Sequence, residues 1–198
     1  ERYTRKLLHI SKDLDNLGEG KFPLLIGLCE VENRDVVADL ANKTVLADAN
    51  YGIVHADSPD ARGIDVALLY RKDSFRLSRN AFFPVHLKNG ETTRDILYCE
   101  GIWGREDTLH IFVCHFPSMR GGESKSEWKR VEAASVVKQK VDSIQGICPR
   151  AMILIMGDLN GRANTLAQKR LKIQNPESGA IQSENLYNTG YYLLGKPY

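Results

Sequence analysis

The chain has 198 residues, 42% of them hydrophobic, and is therefore long enough for one domain with a substantial core. Its 27 basic and 25 acidic residues give a net charge of +2, which excludes a global field that would capture nucleic acid or an anionic membrane. Its apolar stretches are far shorter than the roughly 20 residues of a transmembrane helix, and its first residues lack the apolar core of a secretory signal.

The chain is predicted to begin with a helix, because leucine and isoleucine recur at helical spacing from Leu7 to Leu17. The next segment, PLLIGLCE, is a continuous apolar run of strand length. Asn33 is a typical N-cap residue for a second helix over NRDVVADLANKTV. Four further strands are predicted between Tyr51 and Trp103, in the segments YGIVHA, GIDVALLYR, FRLSRNAFFPVHL and TRDILYCEGIW.

The remaining chain is predicted to hold two more strands around one long helix. LHIFVCHF has the composition of a buried strand, and AMILIM is the last clear strand. Between them, the polar loop PSMRGGESKSEW leads into a helix of about six turns that runs through Ile144. This order of elements predicts sheets covered by helices on their outer faces, in a mixed α/β or α+β layered arrangement.

The cysteines are predicted to be free thiols. They are widely spaced, and three of them lie inside apolar strand-like runs, where a thiol behaves as a small hydrophobic group. No CxxC motif or Cys/His cluster with zinc spacing occurs in the sequence, so a structural zinc site is not expected. The four residues are Cys29, Cys99, Cys114 and Cys148.

Three of the predicted strands end in residues able to do chemistry: Glu30, His115, and Asp158 with Asn160. Each has a structural explanation when taken alone, because Asp and Asn dominate turns, a glutamate can cap the next helix, and a histidine often fills a half-buried site. A strand-end carboxylate needs a partner, however, so the recurrence also fits strand ends that gather around a cation and a substrate. The apolar run before Glu30 predicts a poorly solvated carboxylate held near Asp158.

Four motifs occur in order along the chain: GLCEVEN, ARGIDVALLYR, VCHFPS and MGDLNGR. They resemble, respectively, the glutamate motif, the middle strand, the histidine motif and the Gly-Asp-x-Asn motif of the endonuclease/exonuclease/phosphatase superfamily, which has the deoxyribonuclease-like fold. The resemblance covers most of the chain. It implies an α/β (α+β) fold in which two mixed β-sheets form a layered sandwich with helices on the outer faces, and whose strand ends converge on a phosphate-binding cleft.

The resemblance also implies divalent-metal-dependent hydrolysis of phosphodiester bonds, by a nuclease or a related phosphodiesterase or phosphatase. Glu30 would then bind Mg²⁺ (or Mn²⁺), Asp158 would activate water, Asn160 would hold the scissile phosphate, and His115 would assist the phosphate or the leaving oxygen. These residue types suit the chemistry, because a hard cation stabilises charge on phosphate oxygens and an amide donates to phosphate without adding charge. The expected partner is a phosphodiester substrate, with nucleic acid among the candidates, and the chain is expected to be a monomer.

Two arginines are candidates for substrate binding. Arg62 precedes Gly63 and a strand of the expected cleft, which favours a phosphate contact, although a solvated turn residue would have the same setting. Arg120 belongs to a basic cluster whose positive charge is partly offset by nearby glutamates. A solvated helix face is therefore the alternative to a substrate-binding surface. The other members of this cluster are Lys125, Lys129 and Arg130.

The chain departs from the family pattern near both ends. The family's early asparagine strand and its late serine-aspartate-histidine motif are not visible, and His115 is the last histidine. We therefore expect residues 1–198 to be one domain of this type that lacks its first strand and its C-terminal motif. Two explanations stay open: a fragment of an active enzyme, which the intact motifs favour, or a truncated or degenerate member that acts as a non-catalytic phosphate- or partner-binding module.

Overall fold

Seven strands and four α-helices make up the computed structural model, which describes residues 1–18, 20–176 and 179–193. The strands are β1 Leu25–Val31, β2 Tyr51–His55, β3 Asp65–Arg71, β4 Phe75–Phe83, β5 Ile96–Trp103, β6 Asp107–His115 and β7 Met152–Asp158. The helices are α1 Arg2–Leu17, α2 Arg34–Asn42, α3 Glu123–Ile147 and α4 Leu166–Arg170. Short 3₁₀ helices cover Val45–Ala49 and Thr189–Leu193.

The strands form two sheets. The three-stranded sheet has the order β1-β3-β2 and the four-stranded sheet the order β4-β5-β6-β7. β6 and β7 run parallel because α3 forms the crossover between them, whereas the other pairs are antiparallel. The predicted α/β fold of two layered sheets is confirmed, with one difference: over the residues described, the larger sheet alone is mixed.

Apolar side chains fill three layers. Between the two sheets lie Val66, Leu68, Leu97, Ile111 and Val113. α1 and α2 cover the outer face of the smaller sheet, while α3 and α4 cover the larger one, as expected. All four cysteines are free thiols. Within the described ranges, no helix combines the length and apolar content needed to cross a bilayer.

The strand pairings bring seven strand termini to one end of the sandwich, including the end of β4, where Phe83 is paired with Ile96. β1 and β2 end where β3 begins, so that Val31 is paired with Asp65. In the other sheet, β6 and β7 end where β5 begins. The Sγ of Cys29 lies 3.5 Å from the carbonyl oxygen of Cys114, which joins the two sheets at this end. The strand-end residues of both sheets therefore face one region of the molecule.

The long helix begins earlier than predicted. α3 starts at Glu123, so the polar segment ESKSEW is its first turns rather than a loop. The interpretation of Arg130 as part of a solvated basic face is wrong, because this side chain is completely buried. Its guanidinium donates to the carbonyl of Glu123 at 2.9 Å, to the hydroxyl of Ser126 at 3.0 Å and to the carbonyl of Pro117 at 3.4 Å. Arg130 therefore fixes the start of the helix against the end of the histidine motif.

Gly157 allows β7 to lie close to β6 just before Asp158. Its φ is +117°, a conformation that residues with a Cβ rarely adopt. A Cβ at this position would lie 2.0 Å from the carbonyl oxygen of Cys114 on the neighbouring strand. The glycine of the MGDLN sequence is therefore required by backbone geometry.

We expect Gly157→Ala to lower the free energy of unfolding by about 2–4 kcal/mol, because the added methyl group both strains φ and displaces a backbone carbonyl. Urea denaturation measures this change. The matched control is Gly146→Ala in α3, where a Cβ meets nothing within 4 Å and where alanine should stabilise the helix by up to about 1 kcal/mol. Equal stabilities for the two variants would contradict this view of Gly157.

Candidate active site

The parallel pairing of β6 and β7 places His115 beside Asp158. The two residues are opposite each other in the register. The backbone N–H of Phe116 continues the ladder by donating to the carbonyl oxygen of Asp158 at 2.9 Å. The Nε2 of His115 lies 3.9 Å from the Oδ2 of Asp158. The end of the parallel pair therefore presents an imidazole and a carboxylate side by side.

Glu30 lies at an irregularity in β1. The register with β3 shifts between Cys29 and Val31, and Glu30 has a φ of +59°. Left-handed backbone is rare for glutamate, and bulges of this kind re-aim a side chain next to functional sites. The prediction of a poorly solvated Glu30 is wrong, since this residue is exposed. The bulge turns its carboxylate out of the apolar run that precedes it.

The turn after β7 and the cleft use the same residues. The Oδ1 of Asp158 accepts a hydrogen bond from the backbone N–H of Asn160 at 2.8 Å, which is an Asx turn. Asn160 has a φ of +47°, and its Nδ2 donates to the carbonyl oxygen of Phe116 at 2.9 Å. Asp158 and Asn160 therefore form a turn and also line the cleft, because the turn holds the amide of Asn160 against the end of β6.

Electrostatic interactions link Glu30, Asp158 and His115. The His115 side chain is 3% exposed, and burial is the main reason that its pKa lies below the ordinary value. The positive charge of Arg94 lowers this pKa further, whereas Asp158 and Glu30 raise it without reversing the shift. His115 is therefore neutral at neutral pH. Its Nδ1 is buried and has no hydrogen-bond partner in the described structure.

Arg94 and Asp60 belong to this site, although the sequence did not indicate them. The buried Arg94 guanidinium donates to the Oδ2 of Asp60 at 2.9 Å, to the carbonyl of His115 at 3.1 Å and to the carbonyl of Phe116 at 2.7 Å. Burial raises the pKa of Asp60, but the hydrogen bonds from Arg94 and from the backbone N–H of Arg62 outweigh it, so the net pKa is lowered. The ion pair ties the loop before β3 to the end of β6.

Arg62 and Arg120 line the same cavity, which has a volume of about 210 Å³. The Arg62 side chain is 48% exposed, with its Nε 3.4 Å from the Oδ1 of Asp60, and it acts electrostatically on His115. Arg120 is exposed on the loop after β6. Asp60 and Arg94 also line this cavity, so it places two cationic side chains beside the strand-end site.

The residues of the cleft fit a hard divalent cation. Glu30 and Asp158 supply carboxylate oxygens, and both are exposed, with the Asp158 side chain at 55%. Mg²⁺ favours a site of this kind, because it is usually held by one or two carboxylates and keeps several of its waters. Mn²⁺ accepts the same oxygen ligands.

A family model described as "Endonuclease/Exonuclease/phosphatase family" matches residues 1–197. No curated protein matches the sequence.

Solved structures share the fold at low sequence identity. TDP2 from C. elegans is 21% identical with a TM-score of 0.61, over 80% of this chain and 43% of that one. The human nocturnin catalytic domain with a bound sulfate anion is 18% identical with a TM-score of 0.62, over 84% of this chain and 60% of that one. D. rerio TDP2 complexed with a single-strand DNA product is 17% identical with a TM-score of 0.59, over 86% of this chain and 57% of that one. The chain thus spans about half the length of these structures.

The electrostatic coupling in the cleft can be tested by NMR titration of the His115 ring. We expect its pKa to lie below 6.5 and to fall further in Asp158→Asn, because that substitution removes a negative charge that favours the imidazolium. Asp142→Asn, on the far end of α3, is the matched control and should leave the titration unchanged. A pKa that rises in Asp158→Asn would contradict the arrangement.

Proposed function

Because this chain belongs to the endonuclease/exonuclease/phosphatase family, we propose that its strand-end cleft hydrolyses phosphodiester bonds with the aid of Mg²⁺ or Mn²⁺. The observation that carries the proposal is the convergence of His115, Asp158 and Asn160 on the peptide group of Phe116, with Glu30 close enough to act on the His115 ring. Phosphodiester hydrolysis needs an acceptor for the proton of water and donors for the phosphate oxygens. This set of side chains supplies both.

Each residue has a distinct role in the proposed reaction. The exposed carboxylate of Asp158 accepts a proton from the attacking water. The amide of Asn160 uses one N–H on Phe116, and its other N–H is free to donate to a nonbridging phosphate oxygen. The neutral ring of His115 donates its N–H to the phosphate or to the leaving oxygen. When bound at Glu30, Mg²⁺ or Mn²⁺ would offset the negative charge that builds up on the phosphate oxygens.

Arg62 and Arg120 are proposed to bind the remainder of the substrate. Both line the cavity that continues from the cleft, and guanidinium groups bind phosphate through paired hydrogen bonds. The sulfate in human nocturnin and the single-strand DNA product in D. rerio TDP2 show that structures with this fold hold anions and nucleic acid. We therefore propose a phosphodiester with further phosphate groups, such as single-stranded nucleic acid, as the substrate class.

The test is hydrolysis of bis(4-nitrophenyl) phosphate by the purified chain with Mg²⁺ or Mn²⁺. We expect Asp158→Asn and Asn160→Ala each to lower kcat/KM by about 10²–10⁴-fold, since each removes a group that acts on the reacting phosphate. Asp142→Asn, a surface carboxylate paired with Lys138, should retain full activity. Turnover that survives in Asp158→Asn would contradict the proposed mechanism.

A second candidate is a non-catalytic phosphate-binding module. It is favoured by the anion-binding groups of the site, the amide of Asn160 and the guanidinium of Arg62, which would hold phosphate whether or not a bond is cleaved. Binding of inorganic phosphate that Asn160→Ala weakens, together with undetectable hydrolysis by the unmodified chain, would favour this second function over the first.

A further inference from the structure

A second group of side chains of the kinds that bind metal ions lies one strand away from the cleft. It consists of His55 at the end of β2, Asp65 at the start of β3, and Asp57 in the loop between them. The ligand atoms of the three residues all lie within 4.8 Å of one another. We propose that this group, hereafter the hairpin site, binds a first-row divalent cation of the Zn²⁺ type, independently of the cation proposed at Glu30.

The imidazole of His55 points to a cation because its Nε2 is buried beside a carboxylate without forming a hydrogen bond to it. Its side chain is 2% exposed, and its Nε2 is buried without a hydrogen bond in the described structure. The Oδ2 of Asp65 lies 3.3 Å from this nitrogen. Two ligands about 2.1 Å from a tetrahedral Zn²⁺ lie about 3.4 Å apart, so the observed separation matches two neighbouring ligands.

The carboxylate of Asp65 is held in the orientation that a ligand needs. Its Oδ1 accepts hydrogen bonds from the backbone N–H of Ser58 at 2.8 Å and from the Ser58 hydroxyl at 2.6 Å. These two bonds leave Oδ2 directed toward His55. Outer partners of this kind orient the ligands of metal sites.

The local charge also favours a cation. Asp95, just before β5, lies close enough to Asp65 that the negative charge of Asp65 raises the Asp95 pKa, after the larger effect of burial. Its Oδ1 is buried and makes no hydrogen bond in the described structure. The exposed His86 opposes this shift. Carboxylates that gather at a buried position repel each other, and a divalent cation relieves that repulsion.

The ligand types distinguish the hairpin site from the cleft. One imidazole with carboxylates suits Zn²⁺ and related transition metals, whereas Mg²⁺ prefers oxygen ligands only. His55 and Asp65 flank the loop that carries Asp60 and Arg62. A cation in the hairpin site would fix both ends of this loop, and with them the Arg62 side chain beside the cleft.

The test is Zn²⁺ binding by isothermal titration calorimetry, with Glu30→Gln as the parent protein so that the cleft contributes little. We expect one Zn²⁺ per chain in this parent. Adding Asp57→Asn, an exposed substitution that should leave the fold intact, should weaken binding at least tenfold, and His55→Gln should abolish it. His9→Ala, which removes an exposed histidine of α1, is the control and should bind as the parent does.

NMR of the histidine side chains gives an independent result. Zn²⁺ should shift the ring nitrogen resonances of His55 and leave those of His9 unchanged. The proposal is overturned if Zn²⁺ leaves the His55 ring unaffected, or if Asp57→Asn binds Zn²⁺ as tightly as the parent. Because Glu30 is absent from these proteins, neither outcome bears on the proposed hydrolytic function.

Discussion

The buried guanidinium of Arg94 is the interaction on which the cleft depends. A buried charge is tolerated only when it is paired and hydrogen-bonded, and each nitrogen of the Arg94 guanidinium donates to Asp60 or to one of two carbonyl groups at the end of β6. One of these carbonyls, that of Phe116, also accepts the amide of Asn160. The loop before β3, the histidine motif and the turn after β7 are therefore positioned by one side chain.

The same arrangement sets the charge of the cleft. The positive charge of Arg94 lowers the pKa of the His115 ring, while the exposed carboxylates of Glu30 and Asp158 act on it in the opposite direction. The arginines Arg62 and Arg120 flank the cavity that continues from this point. The exposed carboxylates suit a divalent cation, and the two arginines suit an anionic substrate. The neutral imidazole can donate a hydrogen bond to that substrate.

Much of the fold could be predicted from the sequence, because apolar strands and the amphipathic α1 carry local patterns. Glu30, His115, Asp158 and Asn160 were predicted as site residues for the same reason, since each follows an apolar strand. Arg94 was not, because its partner Asp60 is 34 residues away and no local pattern connects the two segments.

The misinterpreted residues have a common physical cause. Arg130 has the sequence context of a surface helix, yet carbonyl groups of the preceding loop and helix start bury it. Glu30 follows an apolar run, yet the bulge in β1 turns it outward. His55 and Asp65 are ten residues apart in the sequence, and the pairing of β2 with β3 is what places them side by side. In each case tertiary pairing, rather than local composition, decides the environment.

We propose that the strand ends of both sheets form one site for a phosphate and a divalent cation. The most direct measurement is a map of backbone amide shifts in ¹H–¹⁵N NMR spectra when Mg²⁺ and dimethyl phosphate are added together. We expect the largest amide shift changes at Glu30, Phe116 and Asn160. The largest changes at the separate cavity lined by Ser135 and Arg170, or no changes at the strand ends, would contradict it.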